Sequence, residues 1–148
     1  MSYRYTCAVF VLNEEKVLLI KHKKLNRWLP PGGCVESNET PDEAALREVY
    51  EEVGVHIELL GDQVPILPEV KVVHQPIHIQ VEQNPDGPNN IDFIYYAKLM
   101  DKNYTIKLNL DEALEYHWFD RLSIEELIPQ HELKINALKA LDFVSLKY

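Results

Sequence analysis

The chain is short of basic charge: 15 lysines and arginines stand against 24 aspartates and glutamates, a formal net charge of -9 over 148 residues. A surface that docks a long nucleic acid is basic, and the only basic run is Lys21–Lys24, so no long nucleic-acid partner is expected. Long apolar runs are also missing. None approaches the roughly 18 residues of a membrane span, so no membrane partner is expected. The start of the chain lacks a basic stretch leading to a small-residue cleavage site, and we read it as mature, cytoplasmic protein. Cysteine is scarce: Cys7 and Cys34 have no metal-ligand spacing and are expected to be reduced and buried. Hydrophobic residues make up 46% and charged residues 26%, ordinary for one globular domain spanning residues 1–148.

Strand signals come first. Tyr5–Leu12 and Lys16–His22 are apolar, β-branched runs separated by Asn13-Glu14-Glu15, a hairpin pattern. A Pro/Gly-punctuated loop follows, and the Gly33–Ser37 run can extend. The period then changes. Thr40 is a good N-cap, Pro41 suits the first helical position, and Glu43 completes a capping box. Ala44, Ala45, Leu46, Val49 and Val53 form an apolar stripe, and Gly54 suits the residue that ends a helix. Downstream, strands are expected at 55–62, once or twice within 68–83 with a break near Pro76, at Ile91–Met100 and at Tyr116–Phe119. Residues 84–90 read as a turn or mobile loop. A short helix from near Ser123 and an amphipathic C-terminal helix carrying Leu133, Ala137, Leu138, Leu141 and Val144 complete the pattern. The fold class is α/β, of mixed, largely hairpin-like strands with two main helices.

Glu48, Glu51 and Glu52 crowd one helix face near its C-terminal end, where the helix dipole disfavours negative charge. Arg47 is the only cation within a turn, and we expect it to pair with at most one or two of them. Such acid is often simply solvated. The alternative is a divalent cation, and hard oxygen ligands suit Mg²⁺ or Mn²⁺ shared with substrate phosphates.

The wider spacing bears on that choice. Gly33 is followed by five residues and Glu39, then by seven residues and Arg47-Glu48, Val49, Tyr50, Glu51-Glu52, Val53, Gly54 and Val55. This resembles the 23-residue box of the Nudix hydrolases at every fixed position, and Trp28–Gly33 is similar to that family's approach to the box. The resemblance implies an α/β/α sandwich with a mixed sheet between helices. It implies hydrolysis of a nucleoside diphosphate linked to another moiety, with Mg²⁺ or Mn²⁺ as cofactor and a small nucleotide or diphosphate as partner. Carried onto this chain, it makes Glu48, Glu51 and Glu52 metal ligands, joined by the Gly32 carbonyl. Arg47 orients the carboxylates, Glu39 braces the loop or contacts metal-bound water and is counted with Gly33 among the substrate-binding residues, and Gly33 and Gly54 give tight backbone at the helix ends. A general base or further ligand is expected on a later loop: Glu112 first, then Glu115, with Asp111 nearby and Glu52 a candidate inside the box. Arg27 and Lys21–Lys24 are candidates for gripping phosphate, and Phe93 or Tyr95 for stacking a base, with core packing the alternative. His74 and His78 lack a third ligand at metal spacing. The resemblance leaves open a homodimer, a catalytically inactive nucleotide sensor on the same fold, and the choice of substrate.

Overall fold

In the computed structural model, which describes residues 2–147, the hairpin forms as β1 (Tyr3–Asn13) and β2 (Lys16–His22). Its two-residue turn places Glu14 and Glu15 at positive φ, 50° and 62°. Primed turns match the twist of paired strands, although glycine and asparagine meet that backbone more easily than glutamate. Short β3 (Trp28–Leu29) and β4 (Gly32–Cys34) follow, then α1 (Pro41–Val53), β5 (Ile57–Leu59), β6 (His78–Glu82), β7 (Asn89–Leu99), β8 (Ala113–Phe119), α2 (Arg121–Leu127) and α3 (His131–Lys147).

The eight strands form one mixed sheet. Its central path is β3-β2-β1-β7-β5, with β4 on β1, β6 on β7 and β8 on β2. β1 and β7 run parallel, from Tyr3 opposite Asn89 to Leu12 opposite Lys98; the other pairings are antiparallel. Alternation along β1 sends Cys7, Val9 and Val11 to one face, where they pack with Ala44, Ala45, Val49 and Val53 of α1. Ala8, Phe10 and Leu12 go to the other, against Ile124 of α2 and Leu133, Ala137 and Leu141 of α3. Helices therefore cover both faces, the expected sandwich. Burial on both faces is why β1 and β2 read as nearly unbroken apolar runs.

The 68–83 segment gives one strand, β6, beginning after Pro76, within the one or two expected there. Leu60 N–H donates to the Tyr96 carbonyl and Ile77 N–H to the Ile94 carbonyl, so residues 61–76 leave and rejoin the same edge of β7. Pro65, Pro68 and Pro76 suit such an excursion because they cannot donate to a ladder. It docks on the start of α1: His74 N–H donates to Asp42 Oδ2 (2.8 Å) and Lys71 pairs with Glu43 (3.0 Å). Other expectations are corrected. β8 begins at Ala113, ahead of Tyr116. α2 is capped by Asp120, whose Oδ1 accepts from Ser123 N–H, so Ser123 lies inside the first turn. Leu46 leaves the apolar stripe and is 43% exposed.

Candidate active site

Helix α1 is held at both ends. Thr40 N–H donates to Glu43 Oε1 at 2.9 Å, the backbone half of the capping box. At the other end Gly54 adopts φ 72° and donates to the Tyr50 carbonyl. The last helical carbonyls would otherwise lack partners. Here Val53 O accepts from Lys107 N–H and Glu52 O from Asn109 N–H. Those two bonds tie the segment before β8 to the acidic end of the helix. Lys23 N–H donates to the Glu112 carbonyl, fixing the same segment to the end of β2.

Glu112 is thereby brought to Glu48 and Glu52: one carboxylate oxygen from each lies within 4.8 Å of the others. Glu52 is 4% exposed, and its Oε1 accepts from Gly32 N–H at 3.0 Å. Burial, with Glu48 beside it, holds the Glu52 carboxyl far above the usual carboxylate range, only partly offset by the Gly32 bond. Burial also raises Glu48, against its bonds to Glu52 and Arg47. Two adjacent carboxylates this far from water do not both ionise readily without a cation. Gly33 is needed for the packing: a Cβ there would lie 2.5 Å from Glu48 Oε1.

Arg47 reaches further than two carboxylates. Its Nε and Nη2 grip Glu39 at 3.0 and 2.6 Å, and Nη1 donates to Glu48 (2.9 Å) and Glu51 (3.1 Å). Nη2 also donates to the Cys34 carbonyl at 3.0 Å. A planar fork with five donors can serve several acceptors at once. Its hydrogen bonds with Arg47 hold the Glu39 carboxyl below its ordinary value, while Glu39 and Glu48 raise Arg47. Glu39 Oε1 also accepts from Glu36 N–H, bracing the loop before α1. Glu51 sits on the Arg47 side, outside the trio that Glu112 completes.

The cluster opens into a cavity of about 500 Å³. Lys24 and Arg27, from the turn between β2 and β3, line it, as do Gly32, Gly33 and Asp111. Neither Lys24 nor Arg27 makes an ion pair among the described residues. Glu115 is not among the lining residues.

Phe93 and Tyr95 do not line the cavity. The parallel register with β1 turns both toward α1, where Tyr95 is 1% exposed in the core and Phe93 packs beside Tyr5. Asn90, Asp92 and Ile94, in the opposite phase, reach the cavity instead. Strand β7 is apolar on both faces, so its phase depends on a partner 86 residues away, as the Thr6–Asp92 bond shows. His74 and His78 are separately engaged, with Asp42 and Tyr95 and with Gln80. Cys7 is buried, and burial pushes its thiol up to about 12; Cys34, expected to be buried, is exposed.

Known proteins resemble the chain at both levels. The human 8-oxo-dGDP phosphatase NUDT18 is 30% identical over 130 residues, covering 85% of this chain and 35% of that protein. The mouse diphosphoinositol polyphosphate phosphohydrolase 3-alpha is 54% identical over 43 residues, 28% of this chain and 26% of that protein. The chain thus spans about a quarter to a third of the length of these curated relatives. A crystal structure of a NUDIX family hydrolase from Clostridium perfringens superposes with a TM-score of 0.82 and 30% identity, covering 97% of this chain and 99% of that one. The NUDIX domain profile matches residues 2–141, nearly the whole of the sandwich and its acidic helix, and the chain belongs to that family.

Proposed function

We propose that this chain, as a single catalytic domain, hydrolyses the diphosphate bond of a nucleotide-type substrate with Mg²⁺ or Mn²⁺. The observation that carries the proposal is the convergence of Glu48, Glu52 and Glu112 beside a cavity that also presents Lys24 and Arg27. Arg47 pairs with Glu48 alone among the three, so the trio keeps a net negative charge that suits a hard divalent cation. The donor set fits, with the Gly32 carbonyl as a further oxygen and Glu51 in reserve on the Arg47 side. When bound, the cation would neutralise diphosphate oxygens, activate the attacking water and stabilise the leaving oxygen.

The chain's own groups supply the rest. Arg47 holds Glu48 and Glu51 in place through charge-assisted bonds, so the carboxylates need little reorganisation. Gly32 N–H fixes the rotamer of Glu52. Lys24 and Arg27 are placed to draw in and orient the phosphates. Glu112, the exposed member of the trio, offers one carboxylate oxygen to the donor set, and its second oxygen takes the proton from the attacking water. The names of the relatives, a nucleotide phosphatase and a phosphohydrolase, support phosphoanhydride chemistry.

The test is phosphate or pyrophosphate release from a nucleotide panel with Mg²⁺. Wild type should turn over at least one member, Glu52→Gln should lose about 100-fold or more in kcat, and chelation should abolish turnover. Nucleotide binding without cleavage of any member would favour a sensor.

A further inference from the structure

One buried acid in the cavity has no part in that chemistry. Asp92, on β7, is 7% exposed. Its Oδ1 accepts from Thr6 Oγ1 at 2.9 Å, and its Oδ2 has no hydrogen-bond partner among the described residues. Among the described residues no cation pairs with it. Arg4, which lines the same cavity, is turned to Asn90 Oδ1, and the charged groups that act on Asp92 are Glu82 and Glu132, both of its own sign. Burial pushes the Asp92 carboxyl up to about 6. An apolar side chain would be cheaper in this position, so the acid calls for a ligand.

Strand register locates it. Cys34, Thr6, Asp92 and Gln80 form one row across β4, β1, β7 and β6. Two strand spacings, roughly 10 Å, separate Asp92 from the strand that carries Gly32 and Gly33. The phosphates and base of one nucleotide fit those two regions. The surroundings differ accordingly. Near the carboxylate trio the cavity presents Lys24 and Arg27. Near Asp92 it presents acceptors: Glu82, and Glu132, whose Oε1 is held by Asn136 Nδ2 (2.7 Å) and by Gln80. Ala8, Ile94 and Leu133 supply apolar surface between them. An acceptor-rich, negative region repels phosphate and receives N–H donors. A flat ring with donors on one edge satisfies both the apolar and the acceptor surfaces.

We infer that Asp92, oriented by Thr6, reads the base of the substrate and selects nucleobases presenting two adjacent N–H donors on one edge, as a 2-amino-6-oxopurine does. A carboxylate accepts both bonds of such an edge, whereas a base with an acceptor there leaves Asp92 unpaired and meets its charge. The inference rests on the nucleotide hydrolase reading and narrows its substrate class. It disfavours a highly phosphorylated polyol, whose phosphates would have to sit against Asp92, Glu82 and Glu132.

The experiment compares kcat/KM for guanosine, inosine, adenosine and uridine 5′-triphosphates, with Mg²⁺, in wild type, Asp92→Asn and Thr6→Val. Inosine lacks only the 2-amino donor. Wild type should prefer guanosine over inosine and over adenosine by about 10- to 100-fold. Asp92→Asn, which replaces one acceptor with a donor, should bring both ratios within about 3-fold, and Thr6→Val should lower them in part. Ratios need only the folded fraction to be active; if Asp92→Asn does not fold, Thr6→Val carries the test. Equal wild-type rates for guanosine and inosine, or ratios unmoved by the substitutions, overturn the inference while leaving the hydrolase reading intact. Equilibrium binding of the same nucleotides to Glu52→Gln separates the remaining case. The same base order without any cleavage by wild type supports Asp92 and removes the hydrolase reading, whereas no binding and no cleavage removes both.

Discussion

Replacing Glu52 by glutamine should make the metal-free protein more stable at neutral and alkaline pH, and should flatten its dependence on pH. In the folded, metal-free chain the Glu48–Glu52 pair retains one proton through neutral pH, because burial disfavours the second charge. In the unfolded chain both carboxyls take their ordinary value of 4.5 and are ionised. The folded state then binds one more proton than the unfolded state, and stability falls as pH rises by about 1.4 kcal/mol per unit. The loss begins above the ordinary carboxylate value and continues until the raised value is passed. The window from about pH 6.5 to 8 isolates the pair, because Asp92 has completed most of its titration near 6 and the buried Cys7 thiol, pushed up to about 12, has not begun. Over that window wild type should lose about 2 kcal/mol, or roughly 4–8 °C in Tm for a chain of this size. Glu52→Gln keeps an acceptor for Gly32 N–H, carries no charge and should show little of the slope. Saturating Mg²⁺ should reduce the slope in wild type by displacing the proton, and leave the variant unchanged. Thermal melts at fixed ionic strength, with EDTA or Mg²⁺, measure all of this. Equal slopes for wild type and Glu52→Gln without metal would refute the reasoning.

Asp92→Asn tests the second buried acid: the wild-type residue contributes stability below about pH 4 that is lost as pH rises through about 6, so the variant should be more stable by roughly 2–3 kcal/mol at pH 8 and similar at pH 4, read from urea midpoints. Glu15→Gly removes a left-handed glutamate from the β1–β2 turn and should raise stability by about 1 kcal/mol in the same assay. Gly33→Ala places a methyl against Glu48 Oε1 and should weaken Mn²⁺ binding about 10-fold or more, seen by paramagnetic resonance. Arg47→Lys keeps the charge but loses the fork that joins Glu39, Glu48, Glu51 and Cys34 O, and should cost about 2 kcal/mol or more of stability and at least 10-fold in kcat.

What was legible in the sequence was local. The hairpin followed from two apolar runs around a short polar turn. Helix α1 followed from Thr40, Pro41, Glu43 and Gly54, each of which acts within a turn of itself. The crowding of Glu48, Glu51 and Glu52 was legible because helical periodicity converts spacing into a shared face. The rest depends on partners far along the chain. The phase of β7 is set by β1, and with apolar residues on both faces no alternation marks which of Asp92 and Phe93 enters the cavity. The excursion over residues 61–76 looks strand-like in its valines, yet its place is taken by β5 and β6 at the two ends of one edge. Glu112 reaches Glu48 and Glu52 because Lys107 and Asn109 bond to the end of α1, a backbone interaction with no side-chain signature. The reach of Arg47 to three carboxylates depended on the loop carrying Glu39, which folds back on α1. Asp92 is the one acid within the apolar run Ile91–Met100, and a charge in such a run marks a position with a polar environment, here the cavity.

The claim on which the proposed function depends is that Glu48, Glu52 and Glu112 together hold a divalent cation. Titration of the metal-free protein with Mn²⁺, followed by paramagnetic resonance, tests it most directly when wild type is compared with Glu112→Gln, because Glu112 lies outside the box and reaches the cluster only through the fold. Mn²⁺ should bind wild type and bind Glu112→Gln about 10-fold or more weakly, with both proteins equally folded. Equal affinity in the two, or no binding by wild type, would contradict the account.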